Sequence, residues 1–195
     1  MVLQQRVAWV GFCGVDGCKL AAAGLYSPNG IARSPFRSND TFYVAHTFGS
    51  GVGLFTRQSD NRLLLDEHIN SGERALDQIL SLFLRCRSTF TETPLDNLMV
   101  DSEGAIWAAG LPKVLATRDR ILSSTEIASA PSNVFKITLN IGESSFYGEK
   151  YTVQKVLEDD GTKVSGVTGV AHDATRGRLF MHGPVEDGLL VCQTK

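Results

Sequence analysis

The sequence predicts an all-β fold of the β-propeller type, and two observations support this prediction. First, a strand–turn–strand unit occurs at Pro28–His46, Pro94–Gly110 and Val167–Gly183, a spacing of about seventy residues that suits propeller blades with inserted loops. In each copy, two short apolar segments flank a turn rich in Asp, Asn, Ser and Gly. Second, residues 30–68 contain four such segments in a row, which is the strand count of one propeller blade.

This pattern divides residues 1–195 into the parts of one partial propeller. Residues 1–26 are expected to form the outer hairpin of an incomplete blade, and residues 27–70 and 94–161 are expected to form one blade each. Residues 162–195 are expected to form a final blade that lacks one strand. About three blades are therefore predicted to be present.

Residues 71–93 interrupt the strand pattern. Apolar residues recur there at helical spacing, and Ser71 is a suitable N-cap; the apolar positions are Ala75, Leu76, Ile79, Leu80, Phe83 and Leu84. The segment is therefore predicted to be an inserted amphipathic helix. The favoured interpretation is a helix that rests on the propeller rim or an insertion outside the fold, and the alternative is a lid or partner-binding helix.

The composition excludes some function classes. The chain of 195 residues is 43% hydrophobic, enough for a buried core, and its net charge of −2 comes without a basic cluster. We therefore expect no nucleic-acid partner and no binding to an anionic membrane. There is no apolar run long enough to span a membrane, and the first residues do not resemble a signal peptide. The sequence carries no indication of localisation.

Cys13 and Cys18 flank the turn Gly14-Val-Asp-Gly17. Zinc binding is not expected, because there is no second pair at metal-binding spacing and no His nearby. Two free thiols are the favoured interpretation, and a local disulfide is the alternative.

The four histidines are expected to be surface or strand residues without a catalytic partner; they are His46, His68, His172 and His182. Asp101 and Asp173 are interpreted as turn residues. No Gly-x-Ser-x-Gly sequence is present, which argues against a serine esterase.

By the order and spacing of six stretches, the chain resembles the paraoxonase/arylesterase family, within the wider group that includes gluconolactonase-like and strictosidine-synthase-like proteins. These stretches are Ser27–Arg33, Leu95–Asp101, Ile106–Gly110, Gly148–Tyr151, Val164–Thr168 and Leu190–Cys192. The resemblance covers nearly the whole chain outside residues 71–93. It implies a six-bladed propeller that holds calcium in its central tunnel and hydrolyses aryl esters, lactones or related esters.

The resemblance also implies calcium ligands. In that family, an Asn on the innermost strand of one blade and an Asp-Asn pair on the next supply calcium ligands, and these match Asn29, Asp96 and Asn97. Amide and carboxylate oxygens are the donors that calcium prefers, and the bound ion would polarise an ester carbonyl. By themselves, the same residues are also typical of turns.

The chain departs from the family pattern in several places. Three matched side chains are fewer than the six to eight oxygens of a calcium site. The family's other ligands, its proposed His base and the disulfide partner of the cysteine that matches Cys192 have no counterpart here. The chain thus resembles about half of a propeller, and its open blade faces are expected to promote self-association.

Two function classes follow from this comparison. The first is a calcium-dependent hydrolase of aryl esters or lactones with a small-molecule substrate, expected to be weak or inactive as this chain alone. The second is a propeller fragment that acts as a binding or scaffold module without catalysis. An inactive truncated form of the hydrolase is a third interpretation.

Overall fold

The computed structural model describes residues 8–35, 40–48, 51–70, 93–122, 129–141 and 150–194. Thirteen strands and one helix are formed by these residues. In chain order they are β1 (Ala8–Gly14), β2 (Gly17–Leu25), β3 (Pro28–Arg33), β4 (Thr41–His46), β5 (Gly51–Arg57), β6 (Leu63–Asn70), β7 (Leu95–Val100), β8 (Ile106–Gly110), α1 (Val114–Leu122), β9 (Ser132–Leu139), β10 (Tyr151–Asp159), β11 (Gly169–Asp173), β12 (Arg178–His182) and β13 (Leu190–Gln193).

The strands form four antiparallel sheets, each in chain order. We call them the hairpin (β1–β2), the first blade (β3–β6), the second blade (β7–β10) and the last sheet (β11–β13). The strand pairs β3–β4, β7–β8 and β11–β12 lie within the three strand–turn–strand units expected from the sequence. The prediction of an all-β fold with a repeated antiparallel unit is therefore confirmed.

The helix α1 lies in the connection between β8 and β9, where the sequence did not predict one. The amphipathic signal is weak there, because Thr117 is buried while Leu115 and Leu122 are exposed. The helix predicted over residues 71–93 falls almost entirely on residues outside the described ranges. Within those ranges, no helix is both long and apolar enough to cross a membrane.

The hairpin contains a disulfide between Cys13 and Cys18, so the expectation of two free thiols is wrong. The reason is the register of the hairpin: the turn pairs Gly14 with Gly17 and places the two cysteines directly opposite each other. Cys192 is a free, partly buried thiol.

The sheets pack face to face, and the alternation of side chains along each strand decides which layer a residue joins. In β8, Ile106 and Ala108 pack against the first blade, whereas Trp107 and Ala109 pack against the last sheet. All five residues of β8 are buried, because both faces of the second blade are covered. The hairpin covers the other face of the first blade through Leu25.

A buried polar cluster connects the second blade to the last sheet. The side chain of Asp101 is fully buried and that of His172 is 6% exposed. Oδ1 of Asp101 accepts hydrogen bonds from the backbone N–H groups of Glu103 and Ala105, at 3.0 and 2.9 Å. Oδ2 accepts from Trp107 Nε1 at 2.7 Å and lies 2.8 Å from His172 Nδ1. The His172 ring stacks on Trp107 with ring centres 4.0 Å apart.

The charge of Asp101 is stabilised by this cluster. Burial raises the pKa of Asp101, but the hydrogen bonds from Trp107, His172, Ala105 and Glu103 outweigh it, so that the pKa lies below its usual range. An ionised carboxylate can only accept, so His172 Nδ1 donates to it. Asp101 opens the turn as expected, but its side chain also binds Trp107 in β8 and His172 in β11, which is distant in sequence.

Two histidines differ from the expectation. His172 is a strand residue as expected, but its side chain is buried: Nδ1 bonds to Asp101, and Nε2 lies 3.0 Å from Thr194 Oγ1. His46 is a strand residue as expected, but only 4% exposed. Its Nδ1 carries the proton, because it lies 3.0 Å from the Tyr26 carbonyl oxygen, which can only accept. Burial lowers the pKa of His46 despite that hydrogen bond, and His68 lowers it further.

Asp101→Asn is expected to destabilise the chain by about 1–3 kcal/mol, the usual cost of leaving a buried hydrogen-bond donor unsatisfied. An amide nitrogen at the Oδ2 position would face the donors of Trp107 and His172. Urea unfolding measures the effect. Asp173→Asn is the control, since that carboxylate pairs with the exposed Arg176, and its unfolding curve should be unchanged. Equal stability of the two variants would contradict the structural role of Asp101.

Candidate metal site

The innermost strands of the first and second blades approach each other closely at Gly30. A Cβ atom on Gly30 would lie 2.6 Å from Asn97 Cα and 2.7 Å from Leu98 N, closer than real Cβ contacts. A residue with a side chain would therefore force β3 away from β7. Gly30 thus allows the start of β3 to lie directly against the start of β7, which carries the Asp96-Asn97 pair.

Asp96 and Asn29 come into contact across this junction. The residue Asp96 is 9% exposed, whereas Asn29 is exposed at the start of β3. Burial raises the pKa of Asp96, and hydrogen bonds from the Asn29 side chain and the Asn97 backbone offset part of the shift. The Asn29 amide nitrogen also lies 3.4 Å from Thr47 Oγ1. The carboxyl group thus has amide donors around it, and no cation among the described residues contributes to its pKa.

Asn97 connects the site to the last sheet. Its side-chain nitrogen donates to Asp96 Oδ1 at 3.1 Å and to the Thr168 carbonyl oxygen at 2.8 Å. Its backbone N–H donates to the same Thr168 oxygen at 3.1 Å. Thr168 directly precedes β11, and its own N–H bonds to the carbonyl of His182. Three sheets therefore meet at the first residues of β7.

The three residues predicted as ligands are thus close together, although 67 positions separate Asn29 from Asp96 in the sequence. The set contains one carboxylate and two amides, the hard oxygen donors that calcium prefers. Burial raises the pKa of this carboxyl, and a bound cation would lower it again. These residues fit one side of a calcium site. Both amides place nitrogen toward Asp96, so each would have to turn its oxygen inward to bind a cation.

No other metal site is evident in the described part of the chain, which contains no group of three His, Cys, Asp or Glu side chains that could hold an ion. The acidic turn at Asp159 is structural, since its Oδ1 accepts the Gly161 N–H at 2.9 Å.

The Asp101–His172 pair lies near the other end of β7, four residues from Asn97, or about 13 Å away. It is therefore too distant to act as a general base at Asn97.

The comparisons with known proteins agree with the fold. Neither a family model nor a curated protein matches the sequence. Among solved structures, a protein of Bacteroides uniformis provisionally assigned as a 6-phosphogluconolactonase is 12% identical with a TM-score of 0.54. A Bacteroides fragilis protein with the same provisional assignment is 11% identical with a TM-score of 0.50. A third, provisionally assigned as a gluconolactonase, is 14% identical with a TM-score of 0.49.

These alignments define the class of protein as a partial β-propeller. They cover 95%, 94% and 97% of this chain but 43%, 39% and 46% of the respective neighbours, so the chain spans less than half of their length. The provisional assignments as lactonases concern these neighbours. The narrower resemblance to paraoxonases stays a prediction. At these identities the similarity concerns the fold alone.

Gly30→Ala is expected to destabilise the chain by about 1–3 kcal/mol, the usual cost of overpacking, because its methyl group would meet the Asn97 and Leu98 backbone. Denaturant unfolding measures the loss. Gly188→Ala is the matched control, since a Cβ there would meet no atom within 4 Å. If the two variants unfold at the same denaturant concentration, the close approach of β3 and β7 is not a packing constraint.

Proposed function

We propose that this chain carries part of the active site of a calcium-dependent hydrolase that acts on lactones or aryl esters. The observation that supports the proposal is the junction of Asn29, Asp96 and Asn97, which were selected as ligands from the sequence and lie together in the fold. The provisional assignments of the structural neighbours as lactonases agree with this substrate class.

In this proposal, Asp96 supplies the negative charge of the site, and Asn29 and Asn97 supply neutral amide oxygens. Calcium bound there would polarise the carbonyl of a lactone or ester and stabilise the oxyanion that forms on it. The contact with Gly30 keeps the two strands in register, and the bond from Asn97 to the Thr168 carbonyl orients the Asp96-Asn97 pair.

The small number of calcium ligands also favours a second candidate function. Three side chains leave at least three calcium positions to water or to another chain, which weakens binding. The described residues also place no His beside Asp96 that could activate water. A metal-stabilised binding module without catalysis is therefore the alternative, and turnover distinguishes it from the hydrolase.

Asp96→Asn tests the metal site directly. The substitution removes the charge and keeps the shape, so the proposal predicts at least a tenfold weaker calcium affinity in calorimetry. Asp119→Asn, an exposed carboxylate on α1, is the control and should bind calcium as the unchanged chain does. Calcium-dependent hydrolysis of a phenyl ester or a γ-lactone, lost in Asp96→Asn, would identify the hydrolase. Absence of saturable binding to the unchanged chain at millimolar calcium would refute the metal site.

The pKa of Asp96 predicts the pH dependence of stability without calcium. Because the folded pKa is raised, the folded state holds its proton to higher pH than the unfolded state does, and stability falls as pH rises through that interval. Asn at this position does not titrate. The melting temperature of Asp96→Asn minus that of the unchanged chain, measured in a chelator, should therefore increase from acidic to neutral pH. A difference that is constant or decreases over this range would contradict the raised pKa.

A further inference from the structure

Two histidines of the first blade lie on the same face of the sheet, on either side of β5. His46 in β4 pairs with Gly51, and His68 in β6 pairs with Gly53. Paired residues share a face, and so do residues two positions apart in a strand, so that all four belong to one side of the blade. This is the side that the hairpin covers, since Val44 joins the hairpin layer. The strand between the two imidazoles therefore carries no side chain at these positions.

The two glycines leave room for the imidazole rings. A Cβ atom on Gly53 would lie 2.9 Å from His46 Nε2, and one on Gly51 would lie 2.6 Å from His68 Cε1. Each ring thus extends over β5 to the glycine that pairs with the other histidine. Because Cε1 is bonded to both ring nitrogens, the nitrogen-bearing side of His68 is the side turned toward β5. The two ring centres are 5.5 Å apart.

The His46 ring is oriented as a metal ligand would be. Its Nδ1 donates to the Tyr26 carbonyl oxygen at 3.0 Å, so that the lone pair of the neutral ring is on Nε2. Burial lowers the pKa of His46, which keeps the ring neutral. Nε2 has no hydrogen-bond partner among the described residues. A carbonyl that accepts from one ring nitrogen is the usual arrangement behind a histidine that binds a metal ion through the other.

The distance between the two rings suits one shared ion. An imidazole nitrogen binds zinc at about 2.0–2.1 Å, and a ring nitrogen lies about 1.1 Å from its ring centre. Two imidazoles at the tetrahedral angle around one ion therefore have ring centres about 5 Å apart, close to the 5.5 Å between His46 and His68. Access is available as well, because His46 is buried but His68 is exposed, so an ion can reach the pair from solvent.

We propose that His46 and His68 together bind a divalent zinc or copper ion, at a site that differs from the candidate calcium site in its nitrogen donors. Imidazole suits zinc and copper, whereas calcium takes oxygen ligands. No third His, Cys, Asp or Glu among the described residues completes the pair, so water occupies the remaining positions around the ion. The ion connects β4 with β6, which are not neighbours in the sheet, and thereby stabilises the outer part of the first blade.

Calorimetric titration of the 195-residue chain with zinc alone tests the site. The proposal predicts saturable binding of one ion per chain, with an affinity at least about tenfold lower in His68→Ala. The exposed His68 is the residue to change, because its removal leaves the core intact. His182→Ala is the matched control, since this histidine lies on β12 in the last sheet, and its zinc affinity should equal that of the unchanged chain. Circular dichroism shows whether each variant is folded.

Thermal unfolding gives a second readout, because an ion that binds only the folded state stabilises it. Zinc should raise the melting temperature of the unchanged chain and of His182→Ala, but not that of His68→Ala. Equal loss of zinc affinity in His68→Ala and His182→Ala would overturn the proposal, as would a folded chain without saturable zinc binding.

Asp96→Asn separates this site from the candidate calcium site. The variant should bind calcium more weakly and zinc as the unchanged chain does, whereas His68→Ala should show the reverse. Zinc binding that is lost in Asp96→Asn would assign the ion to the calcium ligands and refute the histidine site. A chain that binds zinc through His68 but binds no calcium would support the histidine site and refute the calcium site.

Discussion

The arrangement of the three larger sheets depends on the contact at the first residues of β7. Gly30 allows β3 to touch the backbone there, and Asn97 bonds from backbone and side chain to the Thr168 carbonyl that leads into β11. Each contact is local, but together they set the spacing of three innermost strands. The apolar layers between the sheets can then pack at the distance that these strands impose.

The same contact produces the chemistry of the site. Bringing β3 against β7 removes Asp96 from water, which raises the pKa of its carboxyl, and supplies amide donors that offset part of this shift. The far end of β7 shows the opposite case, since Asp101 is fully buried yet has four donors and a lowered pKa. The difference is one of hydrogen bonding: the donors around Asp101 outweigh the effect of its burial on the pKa, whereas those around Asp96 offset only part of that effect.

Much of the local structure was predictable because it follows from short-range rules. Alternating apolar residues and Gly-rich or Asp-rich turns determine strands such as β4 and β12, which lie in the expected strand–turn–strand units. The helix α1 was not predicted, because its exposed leucines give no amphipathic pattern. The disulfide between Cys13 and Cys18 depended on the register of a hairpin, which the spacing of two cysteines alone does not determine.

By itself, the sequence determined the strands and their grouping into repeated antiparallel units, since these depend on residues that are neighbours in the chain. The candidate oxygen donors came instead from the resemblance to a known family. The tertiary structure decided which distant residues meet. It placed Asn29 beside Asp96, and it paired His172 with Asp101, which the sequence analysis had left without a connection. The physical reason is that packing between sheets is set by the combined shape of many side chains. No local pattern therefore specifies which buried polar groups will become partners.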